Sequence, residues 1–203
     1  MDRIQIEKQL WSEGFSRVMG LDEVGRGCLA GPVVAAGVIF EPGTYIPEIR
    51  DSKQMSNMER RGLASEIKNK ALFWTIQEGS LDEIERLNIL WASISTMQKC
   101  TEQFGATPDF LLVDGNRYTS SMIRYYCVVK GDDKSMSIGA ASILAKVYRD
   151  ELMVQLHEDY PEFGWDLNAG YPTKKHKKAL QQHGYTEWHR QGFRLNTKKK
   201  YRK

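Results

Sequence analysis

Residues 20–32 read Gly-Leu-Asp-Glu-Val-Gly-Arg-Gly-Cys-Leu-Ala-Gly-Pro. Arg17-Val18-Met19 precede them, and the apolar run Val33-Val34-Ala35-Ala36-Gly37-Val38-Ile39-Phe40 follows. The β-branched content predicts strands over 17–24 and 33–40, joined by a glycine-rich turn as an antiparallel pair. Asp22 and Glu23 therefore stand between two strand-like segments. A carboxylate at the end of a buried strand costs free energy unless it is paired or holds a metal. Gly25, Arg26 and Gly27 let the backbone pass close to another group and present its amides. A tight turn with a solvated acidic pair is the plainer reading of the same residues.

Outward from this stretch, residues 4–14 read as a short helix ending at Gly14. Ser56 with Glu59, and Ser80 with Glu83, have capping-box spacing. They predict helices from 57 to about Ala71 and from 81 to near Gly105. In the second, Leu81, Ile84, Leu87, Trp91 and Ile94 form an apolar stripe read as core. Further strands are expected over 72–78, 110–113 and 125–129. Ser135 caps a helix over 136–157, whose small residues Gly139, Ala140, Ala141, Ser142 and Ala145 suit close packing on a sheet. A basic helix over 173–183 stops at Gly184. The order β-β-α-β-α-β-β-α predicts an α/β protein with a mixed five-stranded sheet flanked by helices and a helical basic C-terminal region. The expected organisation is a main unit over 1–170, with a helical extension and tail over 171–203 packed on it.

The 203 residues include no run of the ~18 apolar residues expected of a membrane span. The charged N-terminus lacks a secretory apolar segment, so a cytoplasmic location and no membrane partner are expected. Cys28, Cys100 and Cys127 are odd in number and lack metal-ligand spacing; they read as buried, inert thiols. The net charge of +3 hides an asymmetry. Residues 171–203 hold eleven Lys/Arg and one acid, Glu187, while the remainder holds eighteen Lys/Arg against twenty-five acids. A solvated tail or a polyanion partner explains such a basic run.

Three predicted strand ends carry acids: Asp22-Glu23, Asp114 and Asp132-Asp133. An isolated case is most simply a solvated turn. Three together can converge, because neighbouring strands lie only ~4.8 Å apart. Carboxylates at that range repel, and hard divalent cations would neutralise them. Alternation along a regular strand points Asp22 and Glu23 to opposite faces, so a break in the strand is expected there. Asp150 reads as structural, paired with Arg149 or a neighbouring loop. His157, His176, His183 and His189 read as surface residues, with His176 and His189 in basic sequence able to touch phosphate.

The pattern Asp22-Glu23-x-Gly25-Arg26-Gly27-x-x-Ala30-Gly31-Pro32 resembles the opening signature of type 2 ribonucleases H, the ribonuclease HII family, and the resemblance spans roughly residues 17–190. It implies a ribonuclease H-like fold. It also implies an endonuclease that cleaves RNA in RNA–DNA hybrids and nicks 5′ of single ribonucleotides embedded in duplex DNA, leaving 3′-hydroxyl and 5′-phosphate ends. The associated roles are ribonucleotide removal and primer degradation. Two Mg²⁺ or Mn²⁺ ions would be held by Asp22, Glu23, Asp114 and Asp132, with Asp133 as the alternative fourth acid.

The resemblance assigns substrate contacts to Gly25, Arg26 and Gly27, which would read the 2′-hydroxyl. Tyr171, in Gly170-Tyr171-Pro172-Thr173, would stack on the sugar next to the ribonucleotide. Lys53, in Asp51-Ser52-Lys53, lies in a loop similar to the family's loop beside the site. Ser142 and Lys146, one helical turn apart, could contact phosphates, although Ser142 could equally pack and Lys146 be solvated. No Gln-x-x-Leu-x-x-aromatic-aromatic clamp motif is evident, so no clamp partner and a monomer are expected. A catalytically silent duplex-binding module is disfavoured because all four acids are present. Ribonuclease HIII is disfavoured because only about sixteen residues precede the first strand. A DNA-specific nuclease would not need Tyr171 beside Gly25-Arg26-Gly27.

Overall fold

The computed structural model describes residues 3–49, 55–119 and 122–192. Lys53 and the basic tail over 198–203 lie outside the described residues. In chain order the elements are α1 (Gln5–Ser12), β1 (Val18–Val24), β2 (Val33–Ile39), α2 (Asn57–Lys70), β3 (Phe73–Gly79), α3 (Leu81–Thr101), β4 (Phe110–Asp114), β5 (Arg124–Val128), α4 (Met136–Asp159), α5 (Trp165–Asn168) and α6 (Lys174–His183). The sheet has five strands in the order β3-β2-β1-β4-β5. β1, β2 and β3 are antiparallel neighbours, whereas β4 runs parallel to both β1 and β5. This is the mixed sheet that the sequence predicts.

Local chemistry sets the helix starts. Ser56 and Ser80 each accept the backbone N–H of the glutamate three residues on, and both capping boxes close. Each cap stabilises its helix by about 1 kcal/mol. The start of α4 is held differently. Ser135 caps Ile138, and the buried Glu7 carboxylate of α1 accepts from the Ser135 hydroxyl at 2.6 Å and the Ser137 amide at 3.0 Å. An anion at a helix N-terminus satisfies free amides and opposes the helix dipole.

Alternation along the strands divides the core between two faces. One face carries Val34, Ala36 and Val38 against α2 and α4, with Leu63, Ile67, Ala140 and Leu144 in the layer. The other carries Met19, Leu21, Ala35 and Ile39 against Ile94, Met97 and Cys100 of α3. Every residue of β2 is buried, as a covered central strand requires. A third apolar cluster joins Leu29 and Ala30 to Met153, Phe163, Trp165 and Leu180. It fastens the C-terminal helices to the turn after β1.

The stripe expected on α3 is only partly realised. Ile84 and Ile94 are buried, but Trp91 is half exposed. Asn88 adopts φ 62°, ψ 164° inside the helix, and its side chain accepts the Leu90 amide at 3.0 Å. The helix restarts there, which shifts the phase of the buried face onto Ala92, Thr96 and Met97. Cys127 is only half buried, unlike Cys28 and Cys100.

A candidate carboxylate site and its glycine-rich rim

β1 does not break at the acidic pair. Its antiparallel ladder runs through Asp22 opposite Ala36, Glu23 opposite Ala35 and Val24 opposite Val34. The expected break is therefore corrected, and strand alternation instead distributes the two acids. Asp22 lies on the α4 side, where the nearby Ser142 hydroxyl favours its charged form. Glu23 opens onto the α3 side, at a cavity of about 270 Å³ that also includes Ser93, Ile94, Asp114 and Arg117. Parallel pairing of β1 with β4 ends at Leu21 opposite Val113, so Asp114 ends its strand beside the acidic pair.

The electrostatics record this convergence. Burial, followed by the neighbouring Glu23 charge, pushes the Asp22 carboxyl well above the ordinary aspartate range; Asp114 adds to the rise and Ser142 opposes it. Burial likewise raises Glu23, with Arg26 opposing and Asp114 adding. Like charges and lost hydration both favour the protonated form. Among the described residues, no group of three or more His, Cys, Asp or Glu side chains is already drawn into metal-ligating geometry. Three of the acids are turned to protein donors instead, Asp22 Oδ1 accepting the Glu23 amide at 2.8 Å. Glu23 Oε1 accepts from the Arg26 guanidinium at 2.9 Å, and Asp114 Oδ1 accepts the Gly131 amide at 2.6 Å.

That last bond carries the 131–133 turn to the end of β4. Asp132 is half buried within it, and its carbonyl accepts from the Arg3 guanidinium at 3.0 Å. Asp133 is exposed and forms an ion pair with Arg3 at 3.5 Å. An all-carboxylate donor set with a desolvated, mutually repelling pair at its centre suits a hard divalent cation.

The rim of the site is the turn after β1. Gly25 takes φ +94°, and a Cβ there would lie 2.3 Å from Arg149 Nε. The position thus requires glycine on both conformational and steric grounds. Arg149 is fully buried. Its guanidinium donates to the Pro32, Ala169 and Ala30 carbonyls at 3.0, 2.7 and 2.9 Å. The expected Arg149–Asp150 pair is corrected: Asp150 pairs with Lys146 at 2.6 Å, one helical turn away. Arg190 adds a second guanidinium beneath the turn, donating to the Gly31 carbonyl at 2.7 and 2.9 Å and to the Arg26 carbonyl at 3.2 Å.

Tyr171 lies against this turn. Its hydroxyl lies near the Cys28 thiol, and its ring is 4.0 Å from where a Cβ on Gly27 would sit. The Leu29 amide donates to the Gly170 carbonyl at 2.8 Å, and the Gly31 amide to the Trp188 carbonyl at 2.9 Å. Gly25, Arg26, Gly27 and Tyr171 thus form one rim, with Ser142 and Lys146 on the adjacent face of α4.

The surface reading of His176 and His189 is also corrected. His176 has no exposed surface and His189 is 2% exposed, because both belong to the apolar cluster around Phe163 and Trp165. Sequence reasoning missed Arg149 as well. Ala141, Ala145, Arg149 and Met153 all recur four apart on the buried side of α4, and that spacing was its signal.

A sequence profile for the family described as Ribonuclease HII matches residues 19–200. A relative described as Ribonuclease HII from Salinibacter ruber is 48% identical over 193 residues, covering 93% of this chain and 96% of the relative. The ribonuclease HII from Archaeoglobus fulgidus, solved in complex with PCNA, superposes with a TM-score of 0.77 at 24% identity, covering 90% of this chain and 97% of that one. Bst-RNase HIII, solved in complex with Mn²⁺, has a TM-score of 0.61 at 19% identity, covering 83% of this chain and 63% of that one. The last two establish likeness of fold.

Proposed function

The chain belongs to the ribonuclease HII family and is a ribonuclease H endonuclease acting on RNA–DNA hybrids; from that premise we propose that it also nicks 5′ of single ribonucleotides embedded in duplex DNA. The observation that carries this reading is the position of Tyr171 against the Gly27-Cys28 turn, beside the convergent Asp22, Glu23 and Asp114. The 2′-hydroxyl is the backbone group that separates RNA from DNA. Backbone groups of Gly25, Arg26 and Gly27 can approach it where side chains would clash, while the Tyr171 ring covers the neighbouring sugar.

Asp22, Glu23, Asp114 and Asp132 would hold two divalent cations, Mg²⁺ or Mn²⁺. Asp133 is the poorer fourth acid, because it is exposed whereas Asp132 is half buried within the turn. When bound, the cations would activate water and offset charge on the attacking and leaving oxygens. The chain's own contribution is placement. β1 and β4, interior neighbours in the sheet, bring the acids together near their C-terminal ends, Ser142 stands beside Asp22, and the guanidinium-braced turn would present amides to the sugar. In-line displacement would leave 3′-hydroxyl and 5′-phosphate ends. Lys146 and the basic segment 171–203 would add contacts to duplex phosphates, and salt would weaken binding accordingly. Residues 1–170 would form the catalytic unit, working as a monomer. Ribonucleotide removal and primer degradation are the roles this activity would serve.

Tyr171→Ala tests the reading. The variant is expected to lose at least tenfold in turnover on a single embedded ribonucleotide, with a smaller loss on a continuous hybrid. Equal turnover on both substrates by parent and variant would remove the proposed role of Tyr171.

A further inference from the structure

Behind Tyr171 lies a pair of buried histidines that the proposed chemistry does not use. His176 is in the first turn of α6, and His189 belongs to the segment that pairs with the rim. Ala30 bridges His189, and the Arg190 amide donates to the Leu29 carbonyl at 2.8 Å. The two Nε2 atoms are 3.1 Å apart. The groups around them fix where every proton sits. The Thr186 amide donates to His189 Nδ1 at 3.0 Å, so His189 carries its proton on Nε2 and donates to His176. The indole of Trp165, which is a donor only, points at the same His176 Nε2 from 3.2 Å. That nitrogen must accept, its single lone pair shared between the two donors. His176 therefore carries its proton on Nδ1, which donates to the Tyr171 carbonyl at 3.0 Å.

We propose that this neutral His189–His176 relay is a positioning element for Tyr171, tying its backbone to the segment that closes the glycine-rich rim and so setting selectivity for single ribonucleotides. The proposal rests on the reading of Tyr171 given above. Either ring, once protonated, would present an N–H to another N–H. The surroundings discourage that charge. The packed rings are Phe163, Trp165 and Tyr185, and no carboxylate among the described residues contacts either imidazole. Of the nearby cations, Arg190 and Arg149 direct their guanidiniums to carbonyls, while Lys175 lies near Gly164. His183 stacks edge-on beyond Phe163, and the Tyr160 hydroxyl is engaged by Glu187 at 2.6 Å. The Cys28 thiol donates to the Ala169 carbonyl at 3.6 Å, with the Tyr171 hydroxyl nearby.

Burial accordingly lowers both imidazoles, His189 to about 4. The sign follows. A base whose folded value lies below its unfolded ~6.5 adds stability above that pH, and the contribution is lost as pH falls toward the folded value. Each proton taken up disfavours the closed relay by up to tenfold per pH unit over that window.

Two measurements on the full chain test the relay. The first is ¹⁵N NMR of histidine-labelled protein at pH 7 and pH 6. It is expected to show His176 protonated on Nδ1, His189 protonated on Nε2, and both neutral. A proton on His176 Nε2, or a charged ring at pH 6, would overturn the proposal. The second compares His176→Leu, His176→Asn and Tyr171→Ala on single-ribonucleotide and continuous hybrid substrates. His176→Leu is expected to lower the single-to-continuous ratio about tenfold, and His176→Asn, whose amide can still donate to the Tyr171 carbonyl, to restore most of it. An unchanged ratio in His176→Leu, with a lowered ratio in Tyr171→Ala, would refute the relay. An unchanged ratio in Tyr171→Ala would instead refute the reading of Tyr171. Should His176→Leu fail to fold, the NMR result decides alone.

Discussion

Replacing Arg149 with methionine, which keeps the unbranched stem but not the guanidinium, should destabilise the protein by about 3 kcal/mol. The magnitude follows from its three acceptors, the carbonyls of Pro32, Ala169 and Ala30 at 3.0, 2.7 and 2.9 Å. A buried carbonyl left without its donor costs ~1 kcal/mol or more. Deleting a buried charge recovers its desolvation cost, which keeps the total near the lower end of the ~3–5 kcal/mol seen when buried charged networks are broken. For a chain of this length, that corresponds to a fall in Tm of roughly 6–12 °C. Arg149→Lys keeps the charge but cannot span three carbonyls, so it should recover only part of the loss. The acceptors join the Gly25–Gly31 turn to the Tyr171 turn, so kcat/KM should fall along with stability. Urea unfolding and a cleavage assay on the same preparations check both. A loss below ~1 kcal/mol in Arg149→Met, with cleavage intact, would refute the bracing role of the guanidinium.

Other expected outcomes follow from the acids and the helix–sheet contact. Asp22→Asn should raise the Tm of the divalent-free protein at pH 7.5, because burial and neighbouring charge raise the folded pKa of Asp22 and its charged form then opposes folding. The advantage should shrink as pH falls through that raised value toward the unfolded ~3.9; a Tm difference constant from pH 8 to pH 5 would contradict it. Mg²⁺ at a hundredfold excess over Kd should stabilise the parent by about 2.7 kcal/mol, and Asp22→Asn much less; equal shifts would remove Asp22 from the cation site. Asp114→Asn should lower turnover at least a hundredfold while its circular dichroism and duplex affinity stay near parental; retained turnover would sink the assignment. Gly20→Ala should destabilise by ~1–3 kcal/mol or more, since a Cβ there would lie 2.1 Å from the Ser137 carbonyl carbon of α4; unchanged urea midpoints would count against that close packing.

The elements were legible where local chemistry decides them. Ser56 with Glu59 and Ser80 with Glu83 announced helix starts, and the Val33–Phe40 run announced a strand paired antiparallel with 17–24. The acids at strand ends were legible because β1 and β4 are parallel neighbours that stop at nearly the same level. What could not be read came from tertiary contacts. His176 and His189 sit in basic sequence, and their burial depends on Phe163 and Trp165 folding over them. Arg149 borders Asp150, yet its partners are carbonyls from two distant turns. Asn88 gives no local sign that it will restart a helix in the middle of an apolar stripe. The Asp22-Glu23 pair was expected to need a broken strand, but a regular strand serves, because Asp114 at the end of the adjacent β4 is electrostatically coupled to both acids from their opposite faces.

The central claim is metal-dependent incision directed by a ribose. The most direct measurement incubates the full chain with two matched DNA duplexes, one carrying a single ribonucleotide and one all-DNA, in Mg²⁺ or in EDTA. The account predicts a single nick 5′ of the ribonucleotide in Mg²⁺, none in EDTA and none in all-DNA. Tight binding of the ribonucleotide duplex without incision in either Mg²⁺ or Mn²⁺, or incision of both duplexes alike, would contradict it.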